Sequence, residues 1–128
     1  MRVLIDTHVF LWAISGDRRL SKAADALLTS FDSEIFVSAA SAWEISTKYR
    51  LGKLPEAVNV VGRIPRILEE AGFHELQVSI DHAQRAGSLA GPHRDPFDRM
   101  LIAQAHAENL ALVSNEKLFD GFGVTRVW

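Results

Sequence analysis

Cysteine is absent from the 128 residues. That excludes disulfide frameworks, thiolate zinc centres and cysteine nucleophiles together, so a metal here is held by oxygen or imidazole. A basic excess is also missing: 14 Lys and Arg stand against 16 Asp and Glu, for a net charge of −2. This composition excludes a general nucleic-acid coat and leaves any nucleic-acid substrate to local groups. The first apolar run, Val3-Leu4-Ile5, stops at Asp6 and is too short for a signal peptide or a membrane span. We therefore expect a cytoplasmic protein with no membrane partner. No G-x-G-x-x-G or G-K-[ST] element follows a candidate strand, which argues against nucleotide cofactors. The five histidines form no H-E-x-x-H arrangement, which argues against a zinc hydrolase.

Hydrophobic residues make up 48% of the chain and charged residues 23%, enough at this length for one globular domain, expected to span residues 1–128. Strand signals fall at Val3-Leu4-Ile5, at Glu34-Ile-Phe-Val-Ser38, across residues 74–80, at 110–114 and at 124–127. Between them lie helical stretches at residues 7–14, 21–31 and 39–51. An interrupted segment running to Ala71, a helix to about Ala90 that Asp81 is placed to cap, and a helix at 97–109 follow. Residues 91–94 read as a turn, and Asp95-Pro96 has the form of an N-cap followed by proline in the first helical turn. Strands alternating with helices predict an α/β fold, a three-layer α/β/α sandwich around a parallel sheet.

In such a sheet, ligands bind beyond the carboxyl ends of the strands, where the strand order reverses. Asp6 closes the first strand and Glu116 lies just past the fourth, while Glu44 and Asp98 sit on intervening helices. Each acid also has a structural explanation. Asp6 and Asp95 are cap residues by type, Asp98 and Glu116 suit the first turn of a helix, and glutamate is a common helix former. Taken together they point further. Several close carboxylates repel one another unless a cation neutralises them, and a hard divalent ion with oxygen ligands fits that need. The chemistry implied is metal-assisted phosphodiester hydrolysis.

The chain resembles PIN-domain ribonucleases, in particular the VapC toxins of toxin–antitoxin pairs. The likeness rests on Leu4-Ile5-Asp6-Thr7-His8, on residues 37–45 with Trp43-Glu44-Ile45, on residues 93–105 with Asp95-Pro96-Phe97-Asp98, and on Leu112-Val113-Ser114-Asn115-Glu116. It implies a PIN-like fold in which Asp6, Glu44, Asp98 and Glu116 bind Mg²⁺ or Mn²⁺ and cut RNA through an activated water. It further implies that Thr7, Lys48, Arg94, Arg99 and Ser114 hold the ligands in place or contact RNA, with Asp95 as an extra carboxylate. The partners implied are a VapB-like antitoxin and a second copy of the chain. The family pattern has threonine and, two residues on, aspartate where this chain has Ser114 and Glu116. Two other readings remain at this stage. One is a catalytically impaired PIN-like module that only binds RNA or protein. The other is an aspartyl-nucleophile phosphohydrolase, which wants a second aspartate at the position of His8.

Overall fold

The computed structural model describes residues 1–91 and 95–128. The expected turn at 91–94, with Arg94, lies mostly outside them. Five parallel strands form one sheet in the order β3-β2-β1-β4-β5, where β1 is Arg2–Ile5, β2 Glu34–Ser38, β3 His74–Leu76, β4 Ala111–Val113 and β5 Arg126–Val127. The helices are α1 (Thr7–Ser15), α2 (Lys22–Thr29), α3 (Ala39–Arg50), α4 (Ile64–Ala71), α5 (Ile80–Ser88) and α6 (Pro96–Glu108). Short 3₁₀ helices occupy Pro55–Asn59 and Lys117–Phe122.

Alternation along the strands divides the core in two. The register aligns Val3 with Ile35 and Ala111, then Ile5 with Val37 and Val113, and these side chains pack under Val9, Phe10, Ile45 and Leu68. Leu4, aligned with Phe36 and Leu112, points the other way onto Leu101, Ile102 and Ala105 of α6. A strand apolar at every position is what a sheet covered on both faces requires. The layers are those expected of an α/β/α sandwich. The order reverses at β1, whose chain leaves toward β2 on one side while β4 pairs on the other. The carboxyl ends of β1 and β4 thus meet at the switch point, and Asp6 N–H donates to the Val113 carbonyl at 3.1 Å.

Several boundaries differ from expectation for identifiable reasons. β3 stops at Leu76 because Ser79, not Asp81, caps α5: its hydroxyl accepts from His82 N–H, and the His82 ring accepts from Ser79 N–H. Asp81 pairs instead with Arg85 one turn on. Phe31 lies past the end of α2, fully exposed, so it is no part of that helix's apolar stripe. β5 is limited to two residues, and Asn109 ends α6 in the left-handed conformation (φ 55°) rather than extending it.

Candidate active site

Asp6 performs two tasks that sequence reasoning treats as rivals. One carboxylate oxygen caps α1, accepting from Val9 N–H at 2.8 Å. The same side chain takes a hydrogen bond from the Ser114 hydroxyl at the end of β4 and faces a cavity beyond the two strand ends. It is only 7% exposed. Burial raises its pKa above the usual carboxylate value; the Ser114 and Val9 hydrogen bonds and nearby His8 oppose that shift, while the charge of Glu44 adds to it.

Glu44 comes from α3, one turn beyond Ser41 and one turn before Lys48. Set between Trp43 and Ile45, Glu44 reads from the sequence as an acid interrupting an apolar face. The structure corrects this: Glu44 and Ile45 are buried, and Trp43 is the exposed residue, its ring edge-on to Phe97. Burial of a glutamate requires donors on both oxygens. The Thr7 hydroxyl reaches Glu44 Oε1 at 2.5 Å and the Lys48 ammonium pairs with Oε2. Because a carboxylate only accepts, Thr7 spends its single proton on Glu44, and the Ser41 hydroxyl, 3.0 Å away, donates to Thr7. Sequence reasoning passed over Ser41, although its i,i+3 spacing from Glu44 puts it on the same helix face. Thr7→Val keeps the shape and deletes this donor. It should cost about 1–3 kcal/mol of stability, read as a lowered midpoint of thermal unfolding in chelator.

Asp95 is an N-cap, accepting from Phe97 N–H at 2.9 Å and Asp98 N–H at 3.2 Å, so its structural reading holds in the geometry. Asp98 follows in the first turn of α6. Glu116 caps the second 3₁₀ helix through Leu118 N–H, and its own N–H donates to Ser114 Oγ at 3.0 Å. Ser114, wholly buried, therefore links Asp6 to the segment carrying Glu116. Asp6, Glu44, Asp95, Asp98 and Glu116 all line one cavity of about 210 Å³ together with Thr7, His8 and Lys48. Arg99 does not join them. Its guanidinium donates to the Ala86 and Leu89 carbonyls at the end of α5 and lines a separate apolar cavity.

The donor set suits a hard divalent cation: five carboxylates, no thiolate, and a buried aspartate whose charge lacks full compensation. Among the described residues, no three acids or imidazoles are yet drawn close enough to enclose an ion. Among the described residues, Lys48 supplies positive charge in the same cavity. Desolvation lowers its pKa, but the bond to Glu44 and the fields of Glu44, Asp95 and Asp98 outweigh this, and the net shift is upward.

Asp95→Ala should cost about 0.5–2 kcal/mol as a lost cap. Asp95→Ser should recover most of that in thermal unfolding and retain whatever activity the cavity has. A stable but inactive Ser variant would place Asp95 among the ligands.

Residues 3–123 match the PIN domain family, and the chain belongs to it. Ribonuclease VapC22 of Mycobacterium tuberculosis is 29% identical over 118 residues, covering 90% of this chain and 87% of that protein. Ribonuclease VapC16 of the same organism is 41% identical over 61 residues, but that match covers only 48% of this chain and 42% of VapC16. Among solved structures, VapBC2 from Rickettsia felis bound to a promoter DNA fragment superposes with a TM-score of 0.70 at 18% identity, covering 99% of this chain and 98% of that one. VapC20 of M. tuberculosis, described as a sarcin–ricin loop cleaving toxin, gives 0.69 at 17% identity and 98% of both chains. Nucleases with a PIN domain generally depend on divalent metal ions. Among the described residues, no helix is long and apolar enough to cross a membrane.

Proposed function

We propose that this protein is a divalent-metal-dependent endoribonuclease that hydrolyses RNA phosphodiesters as the toxin of a VapBC-like pair, with Mg²⁺ or Mn²⁺ as its ion. The observation that carries this reading is the convergence of Asp6, Glu44, Asp98 and Glu116 on one cavity at the β1–β4 switch point. The VapC ribonucleases found by sequence similarity support the choice of RNA.

Asp6 and Asp98 are the principal ligands in this account, and Glu44 and Glu116 complete the site or orient water. The bound ion supplies charge neutralisation at the phosphate and lowers the pKa of an attacking water. The chain does the positioning. Val9 N–H and the Ser114 hydroxyl fix the Asp6 carboxylate, Thr7 fixes Glu44, and Ser114 fixes the backbone of Glu116. Water attacks phosphorus in line with the departing 3′ oxygen, so the products carry 5′-phosphate and 3′-hydroxyl ends. End-group analysis of RNA cut by the purified protein tests this. Cyclic 2′,3′-phosphate ends would mean attack by the substrate's own 2′-hydroxyl and would remove the reading.

A toxin needs a restraint, and the proposed partner is a VapB-like antitoxin. Sequence reasoning places its dock on the helices at residues 21–31 and 39–51 and the segment to Ala71. Part of that segment lines a groove of about 660 Å³ between α1 and the stretch containing the first 3₁₀ helix and α4, with Leu11, Trp12, Ile14, Val60 and Ile67 along it. His8 lines both this groove and the acid cavity. A peptide laid in the groove is therefore able to send a basic side chain onto Asp6 or Asp98. Ile67→Glu, at a half-buried position of the groove wall, should abolish co-purification with the product of the neighbouring gene while leaving RNA cleavage intact. Undiminished co-purification would move the dock elsewhere. The proposed homodimer is measured by sedimentation of the free chain.

A further inference from the structure

We infer that Lys48 is a built-in counterion that competes with the divalent ion for Glu44, so that its ammonium sets the affinity of the site for metal. The inference rests on the metal-site reading above and concerns a residue to which that reading gives no part in holding the ion.

Glu44 has a donor on each of its carboxylate oxygens. Thr7 donates to Oε1, and the Lys48 ammonium, one helical turn along α3, sits on Oε2. The Glu44 side chain is 5% exposed and that of Lys48 32%, so the pair is shielded on the carboxylate side and open to the cavity on the other. Two positive charges at one buried carboxylate repel strongly, because the interaction is weakly screened away from bulk water. A divalent ion therefore reaches Oε2 only as Lys48 withdraws. The structure supplies a place for it to go: the ammonium already lies 6.0 Å from the centre of the Phe97 ring, within the field of Asp95 and Asp98. From there it still faces the cavity, where a substrate phosphate would need a cation.

The test is Mn²⁺ binding measured by calorimetry on the RNA-free protein, with Mn²⁺-induced shifts in thermal unfolding as a second readout. Lys48→Met should bind Mn²⁺ about tenfold more tightly than wild type, the size of effect expected for directly coupled groups. It should also unfold at lower temperature than wild type in chelator, where Glu44 is left unpaired, and gain more from added Mn²⁺. Lys48→Arg, which keeps the charge, should bind Mn²⁺ like wild type. If Lys48→Met does not fold, Lys48→Gln carries the same expectation. Unchanged or weaker Mn²⁺ binding by the neutral variants, with wild type binding normally, overturns the role given to Lys48 and leaves the metal site standing. Absence of Mn²⁺ binding by wild type and variants alike overturns the metal-site reading itself.

Discussion

Asp6→Asn should reduce RNA cleavage by more than about 100-fold, beyond the roughly 10- to 100-fold typical of residues that only support a ligand, while the fold stays intact. Asparagine caps a helix as well as aspartate does, so the bond from Val9 N–H survives. What disappears is a buried charge that the ion-free protein tolerates poorly. The stability sign follows from the raised pKa of Asp6. Its favourable protonated state is shared by folded and unfolded chains below the unfolded value of about 3.9. As pH rises from there through the higher folded pKa, the unfolded chain ionises more readily and this contribution to stability is lost. In chelator at neutral pH the Asn variant should thus be as stable as wild type or more so, and it should lack this part of the wild-type decline between acid and neutral pH. Loss of activity accompanied by loss of the fold would reduce Asp6 to a structural cap.

Asp98→Asn should likewise abolish cleavage, for a different balance of reasons. Asp98 stands in the first turn of α6, where its charge contributes about 0.3–1 kcal/mol through the helix dipole. Against this, it shares one cavity with Asp6, Glu44, Asp95 and Glu116 and is repelled by them. Asparagine keeps the size of the side chain, so the variant should still fold cooperatively in chelator. Mn²⁺ should lose most of its stabilising effect, because binding to the native state alone raises stability only where the site can hold the ion. Wild-type turnover by this variant at saturating Mn²⁺ would make Asp98 a helix-dipole residue and nothing more.

The sequence was most legible where chemistry is local. Glu34–Ser38 is a strand with the expected ends, and Asp95-Pro96 opens α6 as a cap and a first-turn proline do. Gly72 ends α4 with φ 73°, as a left-handed C-cap glycine should. Legibility failed where long-range packing decides. Nothing in residues 74–80 says that Ser79 and His82 close a capping box and cut the strand short. Likewise, Trp43-Glu44-Ile45 does not reveal which of the three turns inward, because that depends on where α1 lays Thr7. The acids themselves could be nominated from their places after strands. That Ser114 couples two of them, that Ser41 supports Thr7, and that Arg99 is spent on the end of α5 are facts of tertiary structure.

The departure at Ser114 and Glu116 is accommodated without rearranging the site. A serine hydroxyl suffices to donate to Asp6 and accept from Glu116 N–H, and Glu116 reaches the cavity while still capping the following 3₁₀ helix. Ser114→Ala removes one stabilising bond from the ionised form of Asp6 and should raise its pKa further. Cleavage should therefore fall about 10- to 100-fold as a supporting-residue effect, with a pH profile displaced to higher pH.

The most direct test of the account is cleavage of end-labelled RNA by protein stripped with chelator and then titrated with Mn²⁺, with Asp6→Asn prepared identically. The acid cavity as a metal-dependent nuclease predicts no cutting in EDTA, saturable recovery on adding Mn²⁺ to wild type, and none in the Asn variant at the same concentrations. Cutting that persists in EDTA, or recovers equally in Asp6→Asn, would contradict it.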